Sequence, residues 1–95
     1  MKGNENGIVG NSNFAQGSYN GIKGNSNGVI GNSNLIKGDA NAVGGDGNLL
    51  QGSWNTVGGN KNAIAGNSNG VAGNSNLVGG NKNLIAGDYN LLQGN

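Results

Sequence analysis

Four carboxylates, five lysines and a handful of hydroxyl and phenol groups are the reactive chemistry of this 95-residue chain. The acids are Glu5, Asp39, Asp46 and Asp88, each isolated in sequence, and there is no His and no Cys. Without imidazole or thiol the commonest base and nucleophile are missing, and scattered single carboxylates cannot divide acid and base roles. An enzyme is therefore not expected. Asp39, Asp46 and Asp88 each follow a Gly, as in calcium-binding rolls, but such sites need a carboxylate in every repeat, clustered around the ion. Elsewhere the same place is held by Asn or Ser, so the three read as simple Asn/Asp interchange, with no metal and no cofactor. The lysines at 2, 23, 37, 61 and 82 are dispersed, and the net charge of +1 is too small to steer a polyanion, which argues against nucleic acid as a partner. No apolar run is long enough to cross a membrane, and none follows Met1-Lys2-Gly3-Asn4-Glu5, so neither a membrane anchor nor a signal peptide is expected. The absence of Cys removes disulfides and leaves the compartment unspecified.

What chemistry remains is that of surfaces, and surfaces depend on the elements that present them. Counting seven residues at a time from Gly3 gives thirteen complete units ending at Gln93, so a single domain spans residues 1–95. Gly opens every unit. Asn holds the fourth place in all thirteen: Asn6, Asn13, Asn20, Asn27, Asn34, Asn41, Asn48, Asn55, Asn62, Asn69, Asn76, Asn83 and Asn90. The sixth place is always aliphatic: Ile8, Ala15, Ile22, Val29, Ile36, Val43, Leu50, Val57, Ile64, Val71, Val78, Ile85 and Leu92. The second place is Asn, Asp or Ser, while places three, five and seven vary. Restriction at two, four and six is the period of a strand, with the restricted side expected to face inward. A repeat of odd length breaks that alternation unless the chain turns once per unit, and Gly supplies the turn.

Other readings fit less well. The richness in Gly and Asn, 22 of each, suits a disordered chain, but the strict order of the residues does not. A coiled coil needs two apolar places per heptad, and an obligatory Gly costs a helix about 1 kcal/mol each time. Asn-Gly at 6–7, 20–21, 27–28 and 69–70 could mark hairpins, but the Gly there is variable while the Asn is not. The expectation is an all-β parallel solenoid with one short strand and one corner per heptad. Two heptads per coil give a flattened roll of about six and a half turns, ~30 Å long at the spacing of paired strands. Three would give a triangular prism. Stacking turns the aliphatics into a continuous apolar file. It also turns the Asn residues into a ladder in which each side-chain amide donates to the next carbonyl, since a buried amide left unpaired costs ~1–3 kcal/mol.

Two sets of outward residues stand out as a candidate contact surface. Tyr19, Trp54 and Tyr89 recur every 35 residues, and two heptads per coil place Trp54 opposite the two tyrosines. They read either as anchors for lateral contacts or as relics of a duplicated unit. Leu35, Leu49, Leu77 and Leu91 fall on one side as a column, which points to a lateral partner or a second protomer. The repeat shows no atypical capping unit at either end, so the leading expectation is a structural protein that assembles with itself, end to end into filaments, by continuing its strand edges.

The units Ser26-Asn27-Gly28-Val29-Ile30-Gly31 and Trp54-Asn55-Thr56-Val57-Gly58-Gly59, with their counterparts from Gly3 onward, resemble the heptad of the grass ice-binding proteins that inhibit ice recrystallisation. A weaker resemblance is to the head repeats of trimeric adhesins, which implies a surface adhesion module. The first resemblance implies a left-handed β-roll with two heptads per coil, and ice held by outward residues beside the aliphatic file on one flat side. Carried onto this chain, the better side is that of the even-numbered heptads, with Ser12, Ser26, Ala42, Thr56 and Ala72 as its candidate residues. That family favours Thr, Ser and Val at such places; this chain has one Thr, Thr56.

Overall fold

A computed structural model describes residues 5–94; Lys2, the first Gly and Asn of the repeat (Gly3 and Asn4) and the last Asn (Asn95) lie outside the described residues. Thirteen strands of three residues each follow one another. The odd-numbered ones are β1 (Gly7–Val9), β3 (Gly21–Lys23), β5 (Leu35–Lys37), β7 (Leu49–Gln51), β9 (Ala63–Ala65), β11 (Leu77–Gly79) and β13 (Leu91–Gln93). The even-numbered ones are β2 (Phe14–Gln16), β4 (Gly28–Ile30), β6 (Ala42–Gly44), β8 (Thr56–Gly58), β10 (Gly70–Ala72) and β12 (Leu84–Ala86). Odd strands form one seven-stranded parallel sheet and even strands a six-stranded one. Ile8 pairs with Ile22 and Ala15 with Val29, a shift of fourteen residues, so two heptads make one coil. The coils stack into a β-solenoid 33 Å in its longest dimension, against the ~30 Å expected from strand spacing. Among the described residues no helix is long and apolar enough to cross a membrane.

The sixth residue of each heptad is the middle of its strand and points between the sheets. Eleven of these aliphatics, Ala15 to Ile85, are buried as one cluster, and Ile8 and Leu92 pack partly buried at its two ends. Coiling is what allows this, because a three-residue strand buries one side chain and only its neighbours above and below can cover it.

The Asn ladder is present but wired differently from the expectation. Each side-chain amide reaches chiefly to a backbone carbonyl at the Gly corner of the next coil: Asn20 Nδ2 donates to Gly31 at 2.8 Å and Asn55 Nδ2 to Gly66 at 2.9 Å. The Oδ1 accepts from the backbone N–H of the Asn one coil on, as Asn34 to Asn20 at 3.1 Å and Asn69 to Asn55 at 3.0 Å. Bonds between side-chain amides join Asn27 to Asn13, Asn34 to Asn20 and Asn41 to Asn27, at 3.1–3.2 Å. The physical reason is spacing. The corner carbonyl stands at 2.7–2.9 Å from the amide nitrogen, closer than the neighbouring side-chain oxygen at 3.1–3.2 Å, so it takes the shorter bond. Among the described residues no buried side-chain polar atom lacks a partner.

The corner differs more. It takes three residues, not one. Gly31 sits at φ 138° and Gly52 at φ 127°, and a Cβ on either would overlap the carbonyl oxygen of the Gly one coil further on. Gly is thus required twice over, by backbone angle and by close approach. Two residues later the chain turns through left-handed geometry again: twelve non-glycine residues in the third place, among them Ser12, Tyr19, Ala40 and Trp54, have φ of 57–63°. The second place, expected to face inward, lies on the outside of this corner. Its side-chain oxygen accepts the backbone N–H of the second-place residue one coil before, as Asn25 does from Asn11 at 3.0 Å and Asn60 from Asp46 at 2.9 Å. The alternation inferred from the sequence therefore holds over places four to seven and stops at the corner.

Candidate functional site

The roll offers two broad faces and two narrow edges. On each face the fifth and seventh residues of every heptad point outward, forming two columns. Spacing along a column is ~4.8 Å, and between columns about two residue rises, ~6.6 Å.

Among the described residues the six-stranded face carries no charged one. At its centre Ala42 stands beside Thr56 and Thr56 beside Gly70, while Gly44, Gly58 and Ala72 form the second column. Six consecutive outward places on β6, β8 and β10 thus bear nothing larger than Thr. Bulk returns toward the ends, with Phe14, Gln16 and Ile30 on β2 and β4 and Leu84 on β12. Ser12 and Ser26, taken with this side in the sequence, do not share the face. They occupy the corners ahead of β2 and β4, where left-handed backbone angles of 57° and 59° place them outside the strand triplets.

The seven-stranded face is rougher. Its fifth-place column reads Gly7, Gly21, Leu35, Leu49, Ala63, Leu77, Leu91, with adjacent members paired in register. Its seventh-place column carries Lys23, Lys37, Gln51 and Gln93. Leu35, Leu49, Leu77 and Leu91 do lie in one column, broken by Ala63. Because β1 and β3 carry Gly there, a shallow depression of about 500 Å³ opens over that end, bordered by Val9, Lys23, Leu35 and Leu49.

The aromatics do not join the leucines. Tyr19 and Tyr89 are exposed at corners leading into the seven-stranded sheet and Trp54 at a corner of the opposite edge, so the candidate contact residues occupy three separate places. The carboxylates serve the outer ladder: Asp39 accepts the N–H of Asn25 at 2.9 Å, Asp46 that of Asn32 and Asp88 that of Asn74, both at 2.8 Å. Among the described residues no three His, Cys, Asp or Glu groups come together.

The two faces present repetitive lattices of outward side chains, small and apolar at the centre of the six-stranded one. The outer ladder was not anticipated from the sequence, although the restriction of the second place to short oxygen-bearing side chains was its signal. The vacancy left by Gly7 and Gly21 could have been found by writing the fifth-place column coil by coil.

Residues 3–95 match the family model described as grass antifreeze beta roll. The match spans all thirteen heptads. No curated protein matches the chain.

Proposed function

The chain belongs to the grass antifreeze β-roll family, a family of ice-binding structural proteins, and on that premise we propose that its six-stranded face adsorbs ice. The family match supports this reading over end-to-end assembly, which had been the leading expectation from the repeat alone, and over an adhesion module. The observation that carries the choice of face is the central patch of Ala42, Gly44, Thr56, Gly58, Gly70 and Ala72.

Adsorption to a crystal surface asks for three things. The protein surface must be flat on the scale of a water molecule, it must repeat, and it must not bring its own tightly held hydration. Small residues on paired strands give flatness, and the ladders fix the repeat without cost at the moment of binding, since no side chain needs to be ordered. Lys and Gln hold water strongly and lose rotamer freedom when pinned, which disfavours the face bearing Lys23, Lys37 and Gln51. Thr56 adds one hydroxyl, able to donate and accept, among methyl groups and bare backbone. Molecules held this way pin a growing ice front between them and slow the growth of large grains at the expense of small ones.

The test is an ice-recrystallisation assay on Ala42→Lys and Ala72→Lys, with Ala65→Lys on the opposite face for comparison. The first two should raise the concentration needed for inhibition about tenfold or more, because each inserts a solvated cation into the contact; the third should leave it unchanged. Loss through Ala65→Lys alone would move the site to the other face, and inhibition by none of the proteins would reject the reading.

A further inference from the structure

The seven-stranded face carries an order of large and small residues that the solenoid itself does not need. We propose that this face is a self-complementary interface, on which a second copy of the chain packs face to face, with a two-fold axis running along β7 and the two coil stacks antiparallel.

Such an axis lays β1 over the second copy's β13, β3 over β11, β5 over β9 and β7 over itself. In the fifth-place column it sets Gly7 against Leu91, Gly21 against Leu77 and Leu35 against Ala63, with the two copies of Leu49 meeting on the axis. In this column every large side chain except Leu49 faces a small one. In the seventh-place column Lys23 falls opposite Gly79 and Lys37 opposite Ala65, while Gln51 meets its own copy and Val9 falls opposite Gln93. Sheets packed at ~10 Å leave room for one layer of interdigitating side chains, which is what this alternation provides. The parallel arrangement lacks the match, because it sets Lys37 against Leu35 and Gln51 against Leu49.

Three further observations fit a second copy. The depression of about 500 Å³, which runs from β1 to β7, includes the place over β1 and β3 where the second copy's Leu77 and Leu91 arrive, and those leucines are exposed in the single chain. The roll measures 33 by 21 Å across its broad face, so the face offers at most about 700 Å² of projected area per copy, against the ~800 Å² of accessible surface that each partner buries in a standard stable interface. Lys23 and Lys37 lie at strand ends, so their aliphatic stems can cover Gly79 and Ala65 while the ammonium groups reach solvent at the rim. The closed interface leaves both six-stranded faces outward on opposite sides.

Sedimentation equilibrium of the full chain, from micromolar to about millimolar, tests the proposal where most transient dimers appear. The expected species has twice the 9.3 kDa of one chain. Gly79 has no atom within 4 Å of where a Cβ would stand, so its substitution does not strain the monomer; circular dichroism checks this. Gly79→Glu should tighten the dimer by facing Lys23, and Gly79→Lys should weaken it about tenfold or more through like-charge juxtaposition. Combining Gly79→Lys with Lys23→Glu should restore it. A monomer across the whole range would overturn the proposal. So would Gly79→Glu and Gly79→Lys moving the equilibrium the same way, because only the antiparallel register brings residue 79 against Lys23.

Discussion

Removing one rung of the inner ladder should cost far more than removing one of the outer. Asn55 is fully buried. Its Nδ2 donates to the Gly66 carbonyl at 2.9 Å, and its Oδ1 accepts from the Asn69 N–H at 3.0 Å. Asn55→Ala leaves both backbone groups without that partner in a space closed to water. At ~1–3 kcal/mol for each unpaired buried group, the loss is about 2–6 kcal/mol. Asn60 is exposed and accepts one N–H, from Asp46 at 2.9 Å; water can replace it, so Asn60→Ala should cost only ~0.5–1.5 kcal/mol. Urea unfolding gives both numbers, and hydrogen exchange at the Asn69 amide reports the broken rung directly. Asn55→Asp sharpens the test. It keeps the acceptor but points a carboxylate at the Gly66 carbonyl, so the folded state favours the protonated form, which can still donate. The new carboxyl's pKa is then raised on folding. The folded state holds the proton above about pH 4, where the unfolded chain has released it, and stability falls as pH rises through that range. Relative to Asn55→Ala in the same buffers, Asn55→Asp should therefore be least harmful at acid pH and most harmful at neutrality. Equal costs for Asn55→Ala and Asn60→Ala, or no pH dependence of the difference, would refute the ladder's role.

Two further predictions concern the backbone of the corner, with a strand glycine for contrast. Gly52→Ala should prevent or severely weaken folding, by more than about 4 kcal/mol, because its Cβ overlaps the Gly66 carbonyl oxygen; Gly58→Ala, with open space around it, should be neutral or stabilising by up to ~1 kcal/mol, both read by thermal unfolding. Ala40 holds φ 57°, and Ala40→Asn should stabilise by about 0.5–1 kcal/mol, since Asn tolerates that region better than Ala without the entropy of Gly. A loss of stability would mean that the third place is set by side-chain contacts and not by backbone angle.

These corner effects mark where the sequence stopped being readable. The invariant Gly, Asn and aliphatic places specified the coiling and its core, because each answers to a need repeated at every turn; that two heptads and not three close a coil is shown by the fourteen-residue pairing of Ile8 with Ile22. At the second place restriction does not mean burial: Asn, Asp and Ser there satisfy a backbone N–H from outside. The left-handed third place was hidden by the variety of its residues, from Glu5 to Tyr89. Its signal was negative: none of the thirteen is Val, Ile or Thr, the residues that such angles exclude most strongly. The candidate ice face was legible in part. Ala42, Thr56 and Ala72 stand on the even strands, but Ser12 and Ser26 could be separated from them only once the corner was known to take three residues. The register across the seven-stranded face that sets Gly21 against Leu77 needed the coils to be stacked before it could be seen.

The most direct measurement is the partition of labelled protein into slowly growing ice. The parent chain and Ala65→Lys should enter the ice phase together, while the double substitution Ala42→Lys with Ala72→Lys should stay in the liquid, its far-ultraviolet circular dichroism unchanged. Incorporation of the double variant at the parent's level would contradict the assignment of ice to the six-stranded face.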